Sequence, residues 1–221
     1  MINADFHIHT FFSKCSNMDP KDLVKKAIFE NLDVIGVVDH DSIKGGLAAK
    51  RIAGKRIMVI PGEEIDTAEG EIIVFFSDGK YRGNIVEICE RAKQENAFIF
   101  APHPFDFLRH SLGSNINAIK GYLNAVETFN SRCMFSSANG KAKKYADENS
   151  IPALGGSDAH FPEEIGNVFC KMSCEKNIGS ILESIKKRKI EITGRKSPIT
   201  MHARTHFVKF NRKFSRFSLS E

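Results

Sequence analysis

The chain has no tryptophan, three tyrosines and seven prolines among its 221 residues. No apolar run approaches the roughly 18 to 20 residues needed to cross a bilayer, which excludes an ordinary membrane-spanning helix. Five cysteines stand at irregular spacing, Cys15, Cys89, Cys133, Cys170 and Cys174, with no Cys-x-x-Cys pair. That odd, scattered set excludes a disulfide framework and a zinc knuckle, and reduced thiols are expected. The opening residues, Met1-Ile2-Asn3-Ala4-Asp5, show no basic leader ahead of an apolar run, so a cytoplasmic location is expected. Internal repeats, low-complexity stretches and interdomain linkers are also lacking ahead of residue 195.

What is present suits one domain with a substantial core: 42% of residues are hydrophobic and 27% charged. The net charge of +5 is unevenly spread. From Arg195 onward there are seven Lys or Arg and one acid, Glu221, or +6, which leaves residues 1–194 at −1. The expected organisation is therefore a nearly neutral domain over 1–194 and a basic, Phe-containing tail over 195–221.

Short runs of Ile, Val and Phe alternate with longer amphipathic stretches. Strands are predicted at 2–8, 33–38, 57–60, 71–76, 97–100, 125–129, 151–154, 168–172 and 190–192. Helices are predicted at 20–31 behind an Asp19-Pro20 start, then 43–53, 81–95, 136–149 and 178–187. This alternation predicts an α/β domain with a mostly parallel sheet, closed into a barrel rather than left open.

Residues able to bind metal follow the predicted strands: His7 and His9, Asp39 and His40, Glu63 and Glu64, His103, Glu127 and Asn130, Asp158 and His160. Each alone has an ordinary explanation. A His-x-His pair is often structural, an Asp at a strand end often caps a helix, and a Glu after Pro-Gly is often solvated. Together they are harder to dismiss, because five of the eight histidines occupy such strand ends. In a parallel barrel those ends share one rim. Imidazoles mixed with carboxylates suit Zn, Mn or Fe, and a carboxylate shared by two cations is the usual basis of phosphate-ester hydrolysis by a metal-bound hydroxide.

The motifs 5-DFHIHT-10, 38-VDHD-41, 61-PGEEI-65, 101-APHPF-105, 126-VETFN-130 and 156-GSDAH-160 together resemble the PHP family, named for polymerase and histidinol phosphatase. The resemblance implies a distorted (β/α)7 barrel holding two or three divalent cations. It implies that His7, His9, Glu64 and Asp158 hold the first cation, with Glu64 bridging to a second on His103. Glu127 or Asn130 would complete the second position or stand behind it, and His40 and His160 would hold a third cation or support the others. The family often places an acid just after its first motif. Here that stretch reads Ser13-Lys14-Cys15-Ser16-Asn17, and Asp19 is already a helix cap, so two cations are the expectation.

The activity implied is that of a phosphoesterase acting on a small phosphorylated metabolite, a nucleotide or an oligonucleotide end. Asp158 is expected to orient or deprotonate the attacking water, and His160 or His40 to protonate the leaving alkoxide. Arg109 and His110 are candidates for holding the phosphate, since a guanidinium offers it a two-point contact. In the tail, Phe207, Phe210, Phe214 and Phe217 recur at helical spacing among basic residues. The expectation is a helix docked through its Phe stripe, with RNA or DNA contact, or a membrane surface, as alternatives. A non-catalytic RNA-binding subunit on a related barrel is the competing reading, and it predicts eroded ligand positions. A (β/α)8 hydrolase of carbon–nitrogen bonds would carry a metal-bridging Lys that this chain lacks.

Overall fold

The computed structural model describes residues 1–79 and 81–217, with side chains described through residue 212. Nine strands form one sheet: β1 (Ile2–Ile8), β2 (Val34–His40), β3 (Met58–Thr67), β4 (Gly70–Phe75), β5 (Phe98–Ala101), β6 (Ala125–Asn130), β7 (Ala153–Gly156), β8 (Val168–Met172) and β9 (Ile190–Gly194). The helices are α1 (Pro20–Phe29), α2 (Lys44–Ala53), α3 (Ile85–Gln94), α4 (Ile116–Ile119), α5 (Ser136–Glu148), α6 (Ile178–Lys186) and α7 (Ile199–Phe217). The sheet order is β7-β6-β5-β4-β3-β2-β1-β8-β9. A parallel bridge from Ile8 to Ala159 ties β1 to the chain leaving β7, so the sheet nearly closes into a barrel.

Local sequence explains the helix starts. Asp19 accepts from the Lys21 N–H and Pro20 occupies the first turn, so α1 begins where predicted. Asn84 and Glu87 form a reciprocal capping box, which starts α3 at Ile85 rather than at Tyr81. Tyr81 instead packs, fully buried, among Ile85, Ile88 and Ile99. Leu23, Val24 and Ala27 of α1 and Ala49 and Ala53 of α2 cover β1–β3, while α3, α4 and α5 cover β4–β6. Ile181 and Ile185 of α6 close a further cluster with Phe6, Phe75 and Leu154.

Two strands depart from the expected parallel arrangement. β4 runs antiparallel to both β3 and β5, and β8 antiparallel to both β1 and β9. The β3–β4 hairpin turns at the rim where β1, β2 and β3 end, so β4 begins there and runs away from it. Its first residues consequently share the rim with the strand ends. Among the described residues no helix is long and apolar enough to cross a membrane.

Candidate metal centre

The rim brings most of the predicted ligands together. His7 and His9 project from the end of β1, His40 from β2, Glu64 from β3, His103 from the loop after β5, and Asp158 and His160 from the loop after β7. All but His40 are buried, at 6% exposure or less. Gly156 makes this convergence feasible, since a Cβ there would lie 2.6 Å from both Glu127 Oε1 and His7 Cβ. Asp158 (φ 53°), Asp41 (φ 51°) and His103 (φ 26°) adopt left-handed backbone, a strain that clusters at functional sites.

Hydrogen bonds behind the imidazoles set which nitrogen faces the centre. His7 Nδ1 donates to Glu127 Oε1 at 3.1 Å, and His160 Nδ1 to the Asp158 carbonyl at 2.8 Å. The Ser13 hydroxyl donates to Asp39 Oδ1 and so accepts from His9 Nδ1 at 3.2 Å. The Ser111 hydroxyl donates to backbone carbonyls and accepts from His103 Nδ1 at 3.4 Å. Each ring is left with its Nε2 lone pair turned away from these supports, the arrangement that orients metal-binding histidines.

The separations fit a cation. His7 Nε2 and His9 Nε2 lie 3.1 Å apart, a contact that repels unless a proton or cation stands between them. Glu64 and Asp158 oxygens lie 3.3 Å from His9 Nε2 and 3.6 Å from His7 Nε2. Ligands about 2.1 Å from a tetrahedral cation lie about 3.4 Å from one another, so the two imidazole nitrogens and the carboxylate oxygens beside them stand at the spacing of ligands around one cation. His103 Nε2 is 3.2 Å from Glu64 Oε1, and Glu64 Oε2 is 3.5 Å from His40 Nδ1, so Glu64 touches both sides of the centre.

The electrostatics agree. Burial opposes charge on His7, yet Asp158, Glu127 and Glu64 outweigh it and raise its pKa well above the usual imidazole range. Burial would raise Asp158, but Arg109 and His7 hold it well below the usual carboxylate range. Burial, followed by the charge of Arg132, keeps His160 well below the usual range, and burial also lowers His40. Those surroundings oppose the protonated form that the expected donation to a leaving group requires. Neutral imidazole is the ligand form.

Other predicted residues lie elsewhere or behind. Asp39 is not in the cluster. Its carboxylate accepts from the Thr10 and Ser13 backbone N–H groups and from both their hydroxyls, which occupies it fully and fixes the loop after β1. Glu127 sits behind His7 and also accepts from the His103 N–H at 2.7 Å. Asn130 bridges Glu127 and Asp158 through its amide nitrogen. Arg109 pairs with Asp158 at the mouth and reaches Asp106 at 3.3 Å, whereas His110 donates to exposed Asp66.

Two rim residues escaped the sequence reading. Glu71, at the start of β4, lies 3.8 Å from both His40 Nδ1 and His103 Nε2. Burial, with the neighbouring charge of Glu64, pushes its pKa up to about 9. Its signal was the hairpin, which returns the start of the next strand to the rim. Cys15 is the second, and it groups with His9 and His40.

The tail also differs from expectation. Phe207 and Phe210 are 64% and 60% exposed, while Thr205 and Val208 are buried. Thr205 accepts from Arg132 at 2.7 Å, and basic residues of the helix add further docking contacts. Arg204 lies 4.0 Å over the Phe161 ring and 3.1 Å from Glu163, and Arg212 donates to the Phe11 and Ser13 carbonyls. The Phe214 and Phe217 side chains lie outside the described residues.

Comparison with known proteins joins this geometry to a family. The family described as PHP-associated matches residues 136–190. An uncharacterised protein of Methanocaldococcus jannaschii is 35% identical over 184 residues, covering 80% of this chain and 73% of its own. The chain belongs to the PHP family. Solved structures share its fold at low identity. A two-domain protein from Bacteroides vulgatus, containing a predicted PHP-like metal-dependent phosphoesterase, superposes with a TM-score of 0.76 at 19% identity. That match covers 88% of this chain and 65% of the Bacteroides protein, so this chain spans slightly under two thirds of it. PsfC from Pseudomonas syringae superposes with a TM-score of 0.71 at 17% identity over 95% of this chain and 98% of its own. The fold shared with these structures thus spans nearly the whole chain, and the candidate ligand cluster occupies the rim of the barrel-shaped sheet.

Proposed function

We propose that this PHP chain is a metal-dependent phosphoesterase that hydrolyses a phosphate ester at the rim cluster. The observation that carries the reading is the convergence of the His7 and His9 Nε2 atoms with Glu64 and Asp158 oxygens at 3.1 to 3.6 Å. His7, His9, Glu64 and Asp158 would hold one divalent cation, and Glu64, Glu71 and His103 a second. When bound, such cations supply Lewis-acid stabilisation of phosphoryl oxygens and a water activated near neutral pH.

The chain's own residues do the rest. Asp158, kept ionised by Arg109 and His7, orients the attacking water. Arg109, at the mouth with its side chain 20% exposed, holds the substrate phosphate through its planar guanidinium. Glu127 and Asn130 fix His7 and Asp158, and Asp39 fixes His9 through Ser13. The neighbour from Bacteroides vulgatus, containing a predicted PHP-like metal-dependent phosphoesterase, is consistent with this chemistry. A non-catalytic RNA-binding subunit would not need four imidazoles with oriented Nε2 atoms.

The test is a panel of phosphomonoesters, nucleotides and short RNA with Mn²⁺, run on the wild type and on His7→Ala and Asp158→Ala. Phosphate release by the wild type that both substitutions abolish supports the reading. Undiminished release and metal content in both variants would remove the rim from the chemistry.

A further inference from the structure

We infer that α7 forms the outer wall of the substrate site and that Lys209 is a substrate-binding residue, holding a terminal phosphate dianion from the side of the mouth away from Arg109. This rests on the proposal that the rim hydrolyses a phosphate ester. The orientation of α7 follows from its contacts. Thr205 and Val208 are buried, and Arg212 donates to the Phe11 and Ser13 carbonyls of the loop after β1. The Arg132 guanidinium, from the loop after β6, donates to the Thr205 hydroxyl and the Met201 carbonyl. Positions 205, 208 and 212 recur at three- and four-residue steps and form the docked stripe. Arg204 occupies one flank of that stripe, over Phe161 and beside Glu163. The other flank carries His202 and Lys209, seven residues and so about 10 Å apart along the helix.

That second flank overhangs the mouth. Besides burial, the charges that act on His202 are those of Arg132, Arg109, Asp158 and Asp106, which places it over the Arg109 end. Besides burial, the Lys209 charge acts on both Cys15 and His40, which places its ammonium over the end formed by β1 and β2. Lys209 is exposed, while the buried stripe beside it fixes the helix. Residues 1–194 carry a net charge of −1, so α7 brings to the mouth a positive charge that the barrel as a whole lacks. A phosphomonoester carries close to two negative charges near neutral pH and keeps three free oxygens, whereas a phosphodiester carries one charge and keeps two. Arg109 offers a planar fork of fixed direction. A lysine ammonium is a compact charge on a flexible stem, so it can follow a tetrahedral phosphate that the fork has oriented. Two cations reaching the phosphate from different sides of the mouth favour a terminal phosphate over an internal one.

The test is calorimetry and kinetics on the full chain with Mn²⁺. Inorganic phosphate and dimethyl phosphate serve as the dianionic and monoanionic ligands, and p-nitrophenyl phosphate and bis(p-nitrophenyl) phosphate as the matching esters. In Lys209→Gln the affinity for inorganic phosphate and the KM for the monoester should each worsen about 10- to 100-fold, the range of one charged hydrogen bond, with kcat unchanged. The dimethyl phosphate affinity and the diester KM should change little, and Lys209→Arg should restore most of what Lys209→Gln loses. Lys143→Gln, which removes the same charge from an exposed position on α5, should match the wild type and so separates contact from net charge. Unchanged phosphate affinity in Lys209→Gln, or equal losses with monoanionic and dianionic ligands, would overturn the inference. A wild type that binds inorganic phosphate through Lys209 yet hydrolyses neither ester would defeat the phosphoesterase reading while supporting the anion site.

Discussion

The two sides of the rim are built from different chemistry. Toward β3, β4 and β5 the donors are Glu64, Glu71 and His103, and burial, with the charge of Glu64, pushes the Glu71 pKa up to about 9. Toward β1 and β2 they are His9, His40 and Cys15, with His160 beside His9. One side sets two carboxyl groups together, with Glu71 protonated at neutral pH until a cation displaces the proton. The other offers neutral nitrogen and a buried thiol. The contrast teaches that a single barrel rim can present a carboxylate-rich and an imidazole-rich half, joined through Glu64, whose Oε1 lies near His103 and whose Oε2 lies near His40.

Breaking that joint should give the largest effect. Glu64→Ala removes a donor from both halves, so metal analysis should find less than one tightly held ion per chain. Phosphate release should fall by about 10³-fold, the scale seen when a transition-state-stabilising group is lost. Retention of two ions by this variant would show that the halves are independent. Arg109→Lys, at the mouth beside Asp158, keeps the charge and loses the fork. It should leave metal content unchanged and cost about 1.5–3 kcal/mol in kcat/KM, or roughly 10- to 150-fold, as for other charged hydrogen bonds.

Glu71→Gln reaches both His103 and His40, since an oxygen of Glu71 lies 3.8 Å from each. Mn²⁺ affinity should drop about 10- to 100-fold by calorimetry. Unchanged Mn²⁺ affinity would remove Glu71 from the centre. Smaller still is the effect of Asp5, beneath both halves, which accepts from the Ser157, Gly166 and His7 N–H groups. Burial raises its pKa from 3.8 to about 6. The folded protein therefore holds that proton to higher pH than the unfolded chain, so Asp5 favours folding below about pH 4, and this contribution is lost as pH rises through about 6. Chemical denaturation from pH 4 to 6 should show the Asp5→Asn variant lacking that decline relative to wild type.

Much of this rim was legible in the sequence because β1, β2, β3, β5 and β7 run the same way and deliver the residues at their C-terminal ends to one place. Glu71 was hidden because β4 runs backwards, so its beginning, not its end, lies on the rim. Asp39 misled because a carboxylate beside His40 can equally serve the loop after β1, and only the hydroxyls of Thr10 and Ser13 decide. Cys15 carried no pattern, since the burial of a lone cysteine beside two imidazoles shows only once the loop is folded. In α7 the Phe spacing indicated an apolar stripe without saying which face would dock. Arg204 and Arg212 reached an aromatic ring and two carbonyls, and turned Phe207 and Phe210 outward.

The central claim is that the rim is a cation centre on which phosphate-ester hydrolysis depends. It is tested most directly by counting metals per chain before and after chelation, with phosphate release followed on the same samples. The account predicts at least two ions per chain, loss of activity together with them, and recovery of both on adding Mn²⁺ or Zn²⁺. Phosphate release that continues undiminished after the last ion is removed would contradict it.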